Sequence, residues 1–132
     1  MPTVRMIEYD QASAEVRAIY DDIMATKGIP RVPDFWKTLA VYPPLLRRTW
    51  YDLKEIMQPG RLDRLTKEMI ALAVSATNGC DYCINSHTAA AQKLGMDDEM
   101  LGELMSVVGM FNETNRLAEA FQVAPDVLPA LD

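Results

Sequence analysis

Residues 66–95, TKEMIALAVSATNGCDYCINSHTAAAQKLG, hold the side chains able to do chemistry together. Cys80 and Cys83 are the chain's two cysteines, His87 is its one histidine, and Glu68 stands on the stretch before them. Cysteines three residues apart at the start of a helix are neighbours, so a disulfide between them needs little rearrangement. A helix start also offers unpaired N–H groups and the positive end of the helix dipole, which favour a thiolate over a thiol. His87 lies four residues after Cys83, on the same helical face, where it can take the thiol proton directly or through a water. Glu68 precedes Gly79 by eleven residues and His87 follows it by eight. An antiparallel hairpin turning at Gly79 therefore offsets them by about 4.5 Å along the axis, which side chains can span. In that position the carboxylate can fix the tautomer of His87 and stabilise its charged form. The chemistry expected of this set is thiol redox: reduction of a hydroperoxide or of a disulfide.

The elements that must position these residues read as helices. From Gln11 to Lys27 the apolar residues Val16, Ile19, Tyr20, Ile23 and Met24 share one face, with Asp10 as the expected N-cap and Gly28 as the stop. The segment IPRVP, 29–33, is a connection, after which Asp34 is expected to cap a short helix carrying Phe35, Trp36 and Leu39. Pro43 and Pro44 end that helix, and Pro44 suits the first turn of the next, which reaches about Met57 with Leu46, Trp50, Leu53 and Met57 on one stripe. Gln58, Pro59 and Gly60 break the chain there. Asp63 caps the helix bearing Glu68, whose stripe is Leu65, Met69, Leu72, Ala73 and Ala76, and Gly79 ends it. A further helix spans about Cys80 to Leu94, with Gly95 as its stop. Asp97 or Asp98 caps a last long helix to about Gln122, with Gly109 as a place for a kink. Residues 1–10 read as an extended arm and 124–132 as a loose tail. No stretch alternates as a strand does, and no repeat or low-complexity tract is visible. The expected fold is all-α, about six antiparallel helices in a single domain, 1–132.

Composition narrows the function. The 132 residues carry a net charge of −6 and are 49% hydrophobic. A chain of this size can bury roughly two thirds of its unfolded surface without a metal or disulfide staple. The acidic balance disfavours nucleic acid and anionic lipid as partners. The N-terminus lacks the apolar run of a secretory signal, and the longest apolar run, Met69 to Val74, is far short of the roughly 20 residues that span a bilayer. The expectation is a soluble, cytoplasmic protein in a reducing compartment, where a cysteine pair is catalytic or metal-binding rather than a staple.

The pattern Glu68, eleven residues, Cys80, two residues, Cys83, three residues, His87 resembles the alkyl hydroperoxidase AhpD core motif of the carboxymuconolactone decarboxylase-like superfamily. The stretches AIYDDI, KGIPRVPDFWKTLAVYPPLL and VVGMFNETNRLAEAF resemble its peroxidase-related branch, so the likeness covers about residues 16–123. A lone C-x-x-C is a weak signal; the four-residue pattern is specific. The resemblance implies an all-helical homo-oligomer, a trimer or hexamer, with peroxiredoxin-like activity toward a hydroperoxide, no cofactor, and an external dithiol as reductant. It implies that Cys83 is the thiolate that meets peroxide, Cys80 the more exposed resolving partner, and His87 and Glu68 the proton relay. Disulfide-reductase members carry a histidine between the cysteines, where this chain has Tyr82. True carboxymuconolactone decarboxylases lack the cysteine pair, so the family name does not state the reaction.

Plainer readings stand beside these. Both cysteines can be small buried hydrophobes, and His87 a hydrogen-bonded core histidine. Cys80, Cys83, His87 and Glu68 together also make four zinc ligands on a non-enzymatic helical scaffold. Tyr82 and Trp36 are candidates for a substrate pocket, against packing roles for both. Asn112, Asn115 and Arg116 fall where a stripe expects apolar residues, so they either face solvent or form a buried polar network at an interface.

Overall fold

The computed structural model describes residues 1–131. It contains six α-helices: α1 (Ala14–Lys27), α2 (Asp34–Leu39), α3 (Pro43–Ile56), α4 (Arg64–Asn78), α5 (Asp81–Lys93) and α6 (Asp98–Ala120). A single 3-10 turn covers Tyr9–Gln11, and no strand occurs among the described residues. The helices fall into two compact units, Met1–Gln58 and the chain from Pro59 onward, divided at the Gln58–Pro59–Gly60 break.

The first unit holds α1, α2 and α3. Spacings of three and four bring Val16, Ile19, Tyr20 and Ile23 onto one face of α1, where they bury against Val32, Trp36, Ala40, Leu46 and Trp50. Trp36 and Trp50 meet edge to face, centroids 5.3 Å apart. Asp22 ties α1 to α3: its carboxylate accepts the Trp50 indole N–H at 2.8 Å and pairs with Lys54 at 2.9 Å. Lys54, then Trp50, hold its pKa below the ordinary carboxylate value.

Three local expectations need correction here. The N-cap of α1 is Ser13, whose hydroxyl accepts the Val16 N–H at 3.3 Å. Asp10 is instead inside the 3-10 turn, with its carbonyl taken by the Arg17 guanidinium at 2.6 Å. Asp34 is the first helical residue of α2 rather than its cap; Pro33 holds the cap position, and Asp34 pairs with Lys37 at 3.4 Å. The N-terminal arm is docked, not simply extended. Ile7 donates its N–H to the Lys37 carbonyl at 3.1 Å and accepts the Tyr20 hydroxyl at 2.8 Å. Burial pushes the Tyr20 phenol up to about 12, so it stays a donor.

The second unit holds the hairpin of α4 and α5, and α6. Asp63 caps α4 by accepting the Thr66 N–H at 2.7 Å, and Asp97 caps α6 by accepting the Met100 N–H at 2.8 Å. Leu72, Ala91 and Met96 are buried, ringed by half-buried Leu65, Met69, Ile84, Met100, Leu101 and Leu104. Helix α6 runs unbroken through Gly109, and none of its residues is buried. Asn112, Asn115 and Arg116 are exposed on this chain; Asn112 reaches across to donate to the Thr77 hydroxyl at 3.0 Å. Residues 124–131 are exposed and carry no regular structure, and position 132, the end of the tail, lies outside the described residues. No helix among the described residues is long and apolar enough to cross a membrane.

Candidate functional site

Gly79 makes the site by the way it ends α4. It takes φ +68°, left-handed backbone that a side chain would strain. Its N–H returns to the Ala76 carbonyl at 3.3 Å, and the Cys80 N–H returns to the Ser75 carbonyl at 3.0 Å. These two bonds form a Schellman turn, which closes the end of α4 and reverses the chain within two residues. Cys80 is thereby the N-cap of α5, and its Sγ accepts the Cys83 N–H at 3.3 Å. Cys80 and Cys83 are joined as a disulfide, Cα atoms 5.3 Å apart, and both residues are half-buried.

The reversal brings Glu68 against His87. Glu68 Oε2 lies 2.8 Å from His87 Nδ1. The Glu68 side chain is 6% exposed and that of His87 26%. A carboxylate this deep is costly without a partner, and the imidazole supplies one. Ionised Glu68 can only accept, so Nδ1 carries the hydrogen and Nε2 is the basic nitrogen of the ring. Nε2 is then the atom available to Cys83, one helical turn back along α5. The set can deprotonate a thiol, return the proton to a leaving group, and give up two electrons as a dithiol closes to a disulfide.

Five of the six candidate site residues, all but Trp36, therefore lie on the α4–α5 hairpin. Tyr82 is 47% exposed and lines a shallow concavity on α5 with Asp81, Asn85 and Ser86. Trp36 belongs to the first unit's core, 3% exposed, with its ring against those of Phe35 and Trp50. A second concavity of about 620 Å³ lies between α4 and α6, lined by apolar Val74, Val107 and Phe111 and by polar Asn78, Asn115 and Arg116. Among the described residues no three His, Cys, Asp or Glu side chains stand together as a metal site. Sequence reasoning passed over Ser75, whose carbonyl holds Cys80 and whose hydroxyl is satisfied by the Ala71 carbonyl at 2.7 Å. The signal was present: once Gly79 is read as the left-handed residue of a Schellman turn, the carbonyl four residues before it is the acceptor.

In the solved structures, the chain matches the alkylhydroperoxidase AhpD core from Rhodospirillum rubrum with a TM-score of 0.90 and 44% identity, covering 96% of this chain and 95% of that one. Among curated proteins, an alkyl hydroperoxide reductase of Mycobacterium tuberculosis is 30% identical over 67% of this chain and 25% of its own length. The alkyl hydroperoxide reductase AhpD of Rhodococcus erythropolis is 34% identical over 52% of this chain and 41% of its own length. The chain thus spans less than half the length of these two curated relatives. The pattern of the carboxymuconolactone decarboxylase family covers residues 43–126, which take in α3 through α6 and the whole cysteine hairpin. With a fold match over nearly its full length and a family match over most of it, the chain belongs to the carboxymuconolactone decarboxylase family and is AhpD-like within it.

Proposed function

We propose that this chain is a thiol-dependent peroxidase that reduces hydroperoxides through a dithiol–disulfide cycle of Cys80 and Cys83. The observation that carries the reading is the pairing of the buried Glu68 carboxylate with His87, whose ring lies one helical turn along α5 from a disulfide-bonded cysteine. In the reduced form, His87 Nε2 takes the Cys83 proton. The Cys83 thiolate attacks the terminal oxygen of ROOH, the O–O bond breaks, and the departing alkoxide takes a proton from His87 as ROH. Cys83 is left as a sulfenic acid. The Cys80 thiolate attacks its sulfur, water leaves, and the disulfide closes. An external dithiol returns the pair to the reduced form. Glu68 holds the ring orientation and balances the imidazolium charge. Relatives named alkyl hydroperoxide reductase and alkylhydroperoxidase support this reading.

Self-association is part of the proposal. Val107, Met110, Leu117 and Phe121 are all at least half exposed, at spacings of three, seven and four along α6. That is the seam a helix presents to another helix, and a homo-oligomer, trimer or hexamer, would cover it. Light scattering at micromolar concentration should give a mass above that of one chain; a monomer would remove this part. The activity itself is tested by hydroperoxide consumption with a small dithiol as reductant. Wild type should turn over, and Cys83→Ser should not; a Cys83→Ser variant with full turnover would overturn the assignment.

A further inference from the structure

The described residues bury two polar side chains, Glu68 and Ser75, and the peroxidase chemistry uses only the first. They are seven residues apart on α4, about two helical turns, and so share a face. Cys80 and His87 are likewise seven apart along α5 and its cap. In an antiparallel hairpin that sets Glu68 against His87, the same step of two turns sets Ser75 against Cys80. The bond from the Cys80 N–H to the Ser75 carbonyl, 3.0 Å, fixes that level, and the disulfide holds Cys83 Sγ there too. Ser75 is 7% exposed, and its hydroxyl donates to the Ala71 carbonyl at 2.7 Å. Inside α4 that carbonyl already accepts the Ser75 N–H as its regular helical bond, so it does not need the hydroxyl. Alanine would fill the same space as a better helix former with no polar atom to bury.

We propose that Ser75 is a hydrogen-bond donor to the Cys83 thiolate, resting on the Ala71 carbonyl while the pair is oxidised and turning to sulfur when the disulfide opens. The inference rests on the dithiol–disulfide cycle proposed above and adds a residue to it. A disulfide sulfur is a weak acceptor and a thiolate is a charged one, so the hydroxyl changes partner by rotation about one bond. His87 Nε2 takes the thiol proton, and Ser75 keeps its own. The hydroxyl thus gives the anion a second donor beside the imidazolium and favours the thiolate over the thiol. Asp81 and Tyr82, the ionisable side chains between the two cysteines, are exposed.

Alkylation by iodoacetamide reads the thiolate without a hydroperoxide. In Cys80→Ser, where Cys83 is the one remaining cysteine, the rate across a pH series follows the ionised fraction. Adding Ser75→Ala should move the midpoint of that profile up by about one unit, a roughly tenfold loss of thiolate below it, as expected for one hydrogen bond to a charged group. Adding Ser75→Thr instead, which keeps the hydroxyl, should leave the midpoint within about 0.3 unit. Thr77→Ala is the control: its hydroxyl accepts from Asn112 on α6, and the midpoint should not move. Circular dichroism establishes that the helices persist in each variant. An unmoved midpoint in Ser75→Ala, or an equal shift in folded Ser75→Thr or Thr77→Ala, would overturn the proposal. Absence of hydroperoxide turnover in the wild type would instead remove the peroxidase reading, and the alkylation profiles would still decide what Ser75 does at the sulfur.

Discussion

Ten residues are buried in the core of the first unit and three in that of the second, although the second is the longer segment. The first unit packs two tryptophans edge to face and adds a part-exposed ion pair, Asp22 with Lys54. It contains no cysteine and no histidine. The second unit carries the cysteine pair, the imidazole and, among the described residues, the one buried carboxylate, and it holds them by helix caps, a glycine turn and a single side-chain pair. The difference is physical. A cysteine pair working as proposed has to be reached by substrate and reductant, which agrees with the half-exposed side chains around it. Local backbone geometry positions the site where packing does not.

The sharpest way to break this contrast is to remove the relay. His87→Asn should lower hydroperoxide turnover by about 10² to 10⁴-fold, the usual worth of a positioned acid–base group. Steady-state kinetics at fixed dithiol would measure it. Turnover within a few-fold of wild type would mean that the hairpin positions the pair for some other purpose.

Next in size are matched cavities. Leu46 and Leu72 are both fully buried, one in each unit. Leu→Ala at a packed site costs about 3 to 5 kcal/mol, less where neighbours relax into the space. Leu46→Ala should fall toward the upper figure and Leu72→Ala toward the lower, by urea denaturation. Leu72→Ala should also slow the thiol chemistry, since Leu72 is one turn from Glu68 on α4, whereas Leu46→Ala should leave the chemistry of folded protein unchanged. Equal stability losses would erase the distinction between the two cores.

The smallest effect is electrostatic. The Asp22 carboxyl binds its proton less tightly in the folded chain than in the unfolded one, through Lys54 first and Trp50 second. Its contribution is therefore complete above the ordinary carboxylate value of about 4 and is lost as the pH falls through the depressed folded value. Asp22→Asn should cost about 1.5 kcal/mol at neutral pH, the lower end of the range for hydrogen bonds to a charged group. It should also flatten the acid limb of the stability profile. An unchanged acid limb would assign that limb to other carboxylates.

Much of the second unit was legible because its determinants are local. Asp63, Gly79, Gly95 and Asp97 act within a few residues of themselves, and a sharp turn at Gly79 converts sequence distance into the register that sets Glu68 beside His87. The first unit was less legible in its details. Asp10 and Ser13 both look like caps, and the choice between them depends on Arg17 capturing the Asp10 carbonyl. Trp36 read as a pocket candidate because an aromatic residue has no local sign of burial; Trp50, fourteen residues on, is what encloses it. The ties of Asp22 to Trp50 and Lys54 cross 28 and 32 residues and follow only from how α1 meets α3. Likewise, the spacing of apolar residues on α6 shows a stripe but not that the helix leaves it uncovered on a single chain.

The central claim is that Cys80 and Cys83 form a working redox pair driven by peroxide. Intact mass of the reduced protein before and after one equivalent of an organic hydroperoxide tests it directly. The account predicts a loss of two hydrogens, abolished by Cys80→Ser and by Cys83→Ser alike. An unchanged mass, with both thiols still open to alkylation, would contradict it.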